Sequence, residues 1–206
     1  MGKNFYISDT HFGHQNIIKL DNRPFKNCDQ MENVLVMNWN NNVTSEDTVY
    51  ILGDFCWLDG QEWDRILNRL NGHKILIKGN HDVKRINQIN SSSKTKHFLN
   101  GFDAIYDYLE VPDNGRRVIL SHYPILFYRS NYNGNIYHLF GHVHITLEND
   151  LINDIKQYII EKDTRESGKN LCQFYNVGCM LPYMGYTPRT LDEILACNRG
   201  VDWFGH

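Results

Sequence analysis

The chain has 206 residues, with 21 Lys plus Arg against 24 Asp plus Glu and a formal net charge of -3. That balance suits one domain over residues 1–206 and argues against a protein that holds long nucleic acid by bulk positive charge. An apolar fraction of 41%, with 13% aromatics, supplies a core and argues against intrinsic disorder.

In chain order, short apolar runs predict buried strands at Lys3–Ser8, Thr48–Gly53, Lys74–Gly79, Ile105–Val111, Arg117–Ser121 and Ile136–Gly141. A helix is expected from Asp29, which can cap with Glu32 three residues on, through Met31, Val34, Leu35 and Trp39 on one face. A second starts at Asp59 and carries Trp63, Ile66, Leu67 and Leu70, with Gly72 placed to end it. Asn87–Lys96 reads as a polar surface loop. Pro112-Asp113-Asn114-Gly115 reads as a hairpin turn joining the strands on either side. A weaker helix runs through Leu151, Ile152, Ile155 and Ile159, followed by a polar loop at Thr164–Asn170 and a last strand near Cys172–Val177. Strands and helices alternate early and hairpin-like strands gather later, so the fold class is α/β with mixed sheet flanked by helices.

No apolar run approaches the roughly 18–20 residues of a membrane span, and the N-terminus lacks the apolar stretch and cleavage site of a signal peptide. The five cysteines (Cys28, Cys56, Cys172, Cys179, Cys197) are odd in number and contain no CxxC pair, so they read as reduced. Together these features predict a cytoplasmic protein with no membrane partner.

The ten histidines decide the functional reading. Five predicted strands run directly into metal-competent residues: Asp9-Thr10-His11, Asp54, Asn80-His81, His122, and His142-Val143-His144. Residues at the carboxyl ends of neighbouring strands converge on one crevice, and residues two apart in extended chain point the same way. Imidazole, carboxylate and amide without thiolate favour manganese, iron, zinc or nickel over a calcium cage or a closed structural zinc site. The donors outnumber the needs of one ion, which points to about two metals roughly 3.5 to 4 Å apart, bridged by a carboxylate.

At these residues the chain resembles the calcineurin-like metallophosphoesterase superfamily, whose ordered signature matches Asp9-Thr10-His11, Gly53-Asp54, Gly79-Asn80-His81-Asp82, His122 and Gly141-His142-Val143-His144. The likeness is greatest to the small bacterial and phage phosphoesterases. It implies a four-layer αββα sandwich with two mixed sheets. It assigns Asp9, His11 and His144 to one divalent transition metal and Asn80, His122 and His142 to a second, with Asp54 bridging. His81 is then the general acid, and the expected activity is hydrolysis of phosphomono- or phosphodiesters through a metal-activated hydroxide, on a small phosphate ester or a nucleotide. A nuclease or cyclic-nucleotide phosphodiesterase is the alternative, and a non-catalytic binding scaffold a more distant one. Oligomeric state is not legible.

The protein Ser/Thr phosphatases of that superfamily extend the second block to Gly-Asp-x-x-Asp-Arg-Gly. Here it reads Gly53-Asp54-Phe55-Cys56-Trp57-Leu58-Asp59-Gly60. The missing arginine argues against a phosphoprotein substrate. Weaker signals are His14 near the site mouth, Arg23 as either a phosphate clamp or a surface residue, and aromatics from Tyr123 to Tyr132 as either a base-stacking loop or rim packing. Cys56 reads as packing, and His73, His97, His138 and His206 as structural or surface residues.

Overall fold

The computed structural model describes residues 2–90, 101–162 and 173–198. Strands β1 (Asn4–Ile7), β2 (Thr48–Ile51), β3 (His73–Ile77) and β4 (Ala104–Tyr106) form one sheet in that order, parallel throughout. Strands β5 (Tyr108–Asp113), β6 (Arg116–Ser121), β7 (Ile136–Phe140) and β8 (Gln173–Asn176) form a second, antiparallel between β5 and β6 and parallel beyond. The helices are α1 (Gln15–Leu20), α2 (Cys28–Asn42), α3 (Gly60–Leu67), α4 (Asn80–Asn90), α5 (Leu147–Lys162) and α6 (Leu191–Asn198).

The two-residue period of the strands sorts the apolar residues into layers. Phe5, Ile7, Val49, Ile51 and Leu76 face Met31, Leu35 and Trp39 of α2 and Trp63, Ile66 and Leu67 of α3. Their alternates Tyr6, Tyr50 and Ile77 face Val111, Val118, Leu120, Tyr137 and Leu139 of the second sheet. That sheet's outer residues, Ile119, Ile136, Phe140 and Phe174, meet Ile152 of α5. The result is a four-layer αββα sandwich. Trp39 and Trp63 are essentially fully buried, each worth roughly 2–3 kcal/mol of apolar transfer.

Several sequence expectations are refined. Ile105–Val111 is two strands in two sheets, because the chain crosses between layers at Asp107, whose carboxylate meets the Lys78 ammonium at 2.8 Å. The apolar pattern runs on through the crossing and so conceals it. The cap of α2 is Asn27, extended and accepting from the Gln30 amide, so that Asp29 lies inside the first turn instead, where its charge suits the helix dipole. Asp59 caps α3 as expected. Asn87–Asn90 belong to α4 rather than to a loop; the rest of that segment, and Thr164–Asn170, lie outside the described residues. The hairpin turn has Asn114 and Gly115 both at positive φ between the paired Asp113 and Arg116, the two-residue form that matches strand twist. No described helix is long and apolar enough to cross a membrane.

Candidate metal centre

The carboxyl ends of β1, β2, β3, β6 and β7 open onto one crevice, where the chain leaves regular strand geometry at once. Asp9, His11, Asp54, His142 and His144 all have positive φ, at 56, 48, 52, 71 and 46°. Left-handed backbone costs a non-glycine residue of order 1 kcal/mol, so five together need strong local support. Two glycines make the close approach possible. A Cβ at Gly53 (φ 91°) would lie 2.4 Å from His122 Nδ1, and one at Gly141 would lie 1.8 Å from Ser8 Oγ and 2.5 Å from Asp9 Oδ2. The Gly-Asp and Gly-His pairs of the sequence are therefore steric requirements of the crevice.

The sequence-predicted donors fall into two groups, Asp9 with His11 and His144, and Asp54 with His122 and His142, with donor atoms in each group within 4.8 Å of one another. His11 Nε2 and His144 Nε2 are 3.3 Å apart, and His144 Nε2 is 3.4 Å from Asp9 Oδ1. Asp54 Oδ2 lies between the groups, 3.8 Å from His11 Nε2 and 3.6 Å from His122 Nε2. Asn80 Oδ1 is 3.0 Å from His122 Nε2. His81 stands at the rim with its side chain 38% exposed, its Nε2 3.8 Å from Asp54 Oδ2 and its backbone amide donating to Asp54 Oδ1 at 3.0 Å.

Electrostatics ask for positive charge here. Burial would raise the Asp9 carboxyl, but the hydrogen bond and charge of His144 hold it below the usual carboxylate range. Burial opposes charge on His144, yet Asp21 and Asp9 outweigh it and push its pKa up to about 10. His11 goes the other way, driven well below its ordinary value chiefly by burial. Burial also raises the Asp54 carboxyl, and burial together with the Asp54 charge raises Asp82. Fully buried Asp82 accepts from the amides of Asp54, Phe55 and Gly79 at 2.7, 3.0 and 2.9 Å and so fixes two donor loops. Imidazole nitrogens and carboxylate oxygens this close fit divalent transition metals.

The surroundings revise the weaker signals. Arg23 is neither a surface residue nor free to clamp phosphate: it is 4% exposed, and its guanidinium donates to Asp21 and to the carbonyls of Thr10 and Asp9. Asp21, which sequence reasoning missed, accepts from His144 Nδ1 at 2.8 Å. His14 stacks on Trp57 at 4.0 Å and 6°, and Trp57 in turn lies 4.7 Å from the His81 ring with the Arg85 guanidinium over it at 5.5 Å. Tyr123 packs 4.5 Å from His142 with half its surface exposed, whereas Tyr128 is buried against the second sheet. Cys56 is buried in the helix-side core, outside both groups. His138 is buried and structural, with Nδ1 3.1 Å from the Ile119 carbonyl and Nε2 accepting from the Ile125 amide. His73 pairs with Asp103 on the surface, and His97 and His206 lie outside the described residues.

Comparison with known proteins gives a family and two relatives of similar length. The family model described as calcineurin-like phosphoesterase matches residues 5–206. An uncharacterized protein of Methanocaldococcus jannaschii is 32% identical over 197 residues, which cover 95% of this chain and 90% of that protein. The crystal structure of a protein of unknown function from Aquifex aeolicus is similar with a TM-score of 0.65 at 30% identity, covering 96% of this chain and all of that one.

Proposed function

Because the chain belongs to the calcineurin-like phosphoesterase family, we propose that it hydrolyses phosphate esters at a centre for two divalent cations. The observation that carries this reading is the pair of donor groups facing one another across Asp54. In this reading Asp9, His11 and His144 hold one cation, Asn80, His122 and His142 the other, and Asp54 serves both. Bound there, the cations would supply charge neutralisation for a phosphoryl group and a lowered pKa for attacking water. Manganese is the first choice, with iron, zinc and nickel matching the same donors.

The chain's own residues supply the rest. Asp54 and Asp9 are held by backbone amides and Ser8, so the donors are set before any ligand arrives. His81 Nε2 gives its proton to the leaving oxygen, which its exposed rim position beside Asp54 supports. Trp57 orients the His81 ring from behind. The Gly53–Leu58 segment carries Trp57 and Leu58 where the protein Ser/Thr phosphatases carry an acidic residue and an arginine, and the missing arginine favours a small or exposed phosphate ester. The free thiols of Cys28, Cys56, Cys179 and Cys197 suit a reducing compartment such as the cytoplasm.

The test is hydrolysis of a chromogenic phosphomonoester and a chromogenic phosphodiester with Mn2+ added, beside the Asp54→Asn protein. The expected result is metal-dependent turnover of at least one ester that the variant lacks. A diester preference would direct attention to nucleotides. A protein that binds Mn2+ yet turns over neither ester would overturn the hydrolase reading in favour of a binding scaffold.

A further inference from the structure

We infer that Asp21, clamped by Arg23, is a positioning residue for His144 and makes the Asp9–His11–His144 group the tighter of the two cation sites. The inference rests on the two-cation reading above and concerns what stands behind the donors.

The Asp21 carboxylate reaches His144 Nδ1 with both oxygens, at 2.8 and 3.0 Å. A carboxylate only accepts, so the hydrogen sits on Nδ1 and the lone pair of Nε2 is left for a metal. Nε2 faces the right partners, 3.4 Å from Asp9 Oδ1 and 3.3 Å from His11 Nε2. Asp21 is itself held, because Arg23 Nε and Nη2 donate to its Oδ2 at 3.0 and 2.7 Å from a side chain with no exposed surface. The same guanidinium donates to the carbonyls of Thr10 and Asp9 at 3.0 and 2.9 Å. One buried cation thus fixes the backbone of one donor, Asp9, and the carboxylate behind another, His144.

The second group has weaker backing. His122 Nδ1 has a neutral partner, the Leu52 carbonyl, at 2.8 Å. The His142 ring is packed against Tyr123 and His122, at 4.5 and 5.0 Å between centroids. Carboxylate backing raises the donor strength of an imidazole and fixes its orientation, and its loss costs ~10–100-fold in metal affinity. The two groups therefore differ in what stands behind their imidazoles, in addition to the exchange of the Asp9 carboxylate for the Asn80 amide.

Equilibrium dialysis with Mn2+ alone tests this on the wild-type chain, Asp21→Asn, Asp21→Glu and Asn80→Ala, with thermal unfolding in EDTA as the check on folding. Asparagine keeps the volume and an acceptor but removes the charge. We expect wild type to show one tight and one weaker equivalent. Asp21→Asn weakens the tight one by ~10–100-fold, Asp21→Glu recovers part of the loss, and Asn80→Ala keeps the tight equivalent intact. An Asp21→Asn curve that superimposes on wild type overturns the inference while leaving the metal reading standing. So does loss of the tight equivalent in Asn80→Ala, a result independent of whether the Asp21 variants fold. A wild-type chain that takes up no Mn2+ overturns the metal reading and this inference together.

Discussion

The two sheets contribute different chemistry to one crevice. Strands β1, β2 and β3 lead into Asp9, His11, Asp54 and Asn80, three oxygen donors and one imidazole, whereas β6 and β7 lead into His122, His142 and His144, all imidazole. The first sheet brings the carboxylates and the second brings imidazole nitrogen, neutral at His144 once a cation takes the place of its proton. Formal charge at the centre is therefore set on one side of the inter-sheet core and ligand softness on the other, and the centre exists only where that core holds the sheets in register. Changes on the first side should alter charge and catalysis together, and changes on the second should be more easily separated into structure or donor strength.

The sharpest way to break this contrast is Asp54→Asn, which removes the charge shared by both groups. Steady-state kinetics on an ester substrate should show kcat/KM lower by at least ~10³-fold, about 4 kcal/mol. Unfolding in EDTA should show the same variant to be no less stable than wild type, since burial and the Asp9 charge raise the Asp54 carboxyl, and burial and the Asp54 charge raise Asp82. Next comes the seam itself. Gly141→Ala places a methyl group from the second sheet against Ser8 and Asp9 of the first, and a loss of about 3 kcal/mol in urea unfolding is expected. His81→Ala should lower kcat by ~10²-fold at unchanged metal content, most for substrates with poor leaving groups; equal rates would remove its role as acid.

The smallest effect separates two kinds of histidine on β7. His138 lies within the strand, and burial lowers its pKa to about 4 from an ordinary 6.5. Below pH 6.5 the unfolded chain takes up a proton that the folded chain refuses, so His138 costs stability progressively as pH falls toward 4. Between pH 7 and pH 5 the loss is about 2 kcal/mol. Urea midpoints for wild type and His138→Gln at the two pH values should differ by that slope.

What the sequence made legible follows from how local each signal is. Every proposed donor lies in a block of one to four residues directly after an apolar strand, so Asp9, His11, Asp54, Asn80, His122, His142 and His144 could be singled out as candidates without any long-range information. Asp21 could not be. It sits in Leu20-Asp21-Asn22-Arg23-Pro24, which reads as a turn, and its partner His144 is 123 residues away. Arg23 was visible as a guanidinium near the site, but its burial depends on the Asp9 and Thr10 carbonyls, Met31 of α2 and the distant Tyr186 coming together around it. The split between β4 and β5 was hidden because an apolar pattern does not register a change of sheet. Helix α6 is different, for its signal was present: Thr190 and Glu193 form a reciprocal cap ahead of Leu191, Ile194 and Leu195. Helix α4 opens on Asn80 itself, and its apolar residues are few, Val83, Ile86 and Ile89 spaced three apart in an otherwise polar sequence.

The donor loops are irregular in dihedral angle but not in hydrogen bonding. Beyond the ends of β1 and β2 the amides of Asp9, His11 and Phe12 still donate to the carbonyls of Gly53, Asp54 and Phe55 at 2.9 to 3.0 Å, and Trp57 donates back to Phe12. A segment built this way exchanges its amide protons like sheet although it is traced like a loop. Deuterium uptake at His11, Phe12 and Trp57 should then stay slow when a chelator has emptied the centre, the cradle outlasting its cargo.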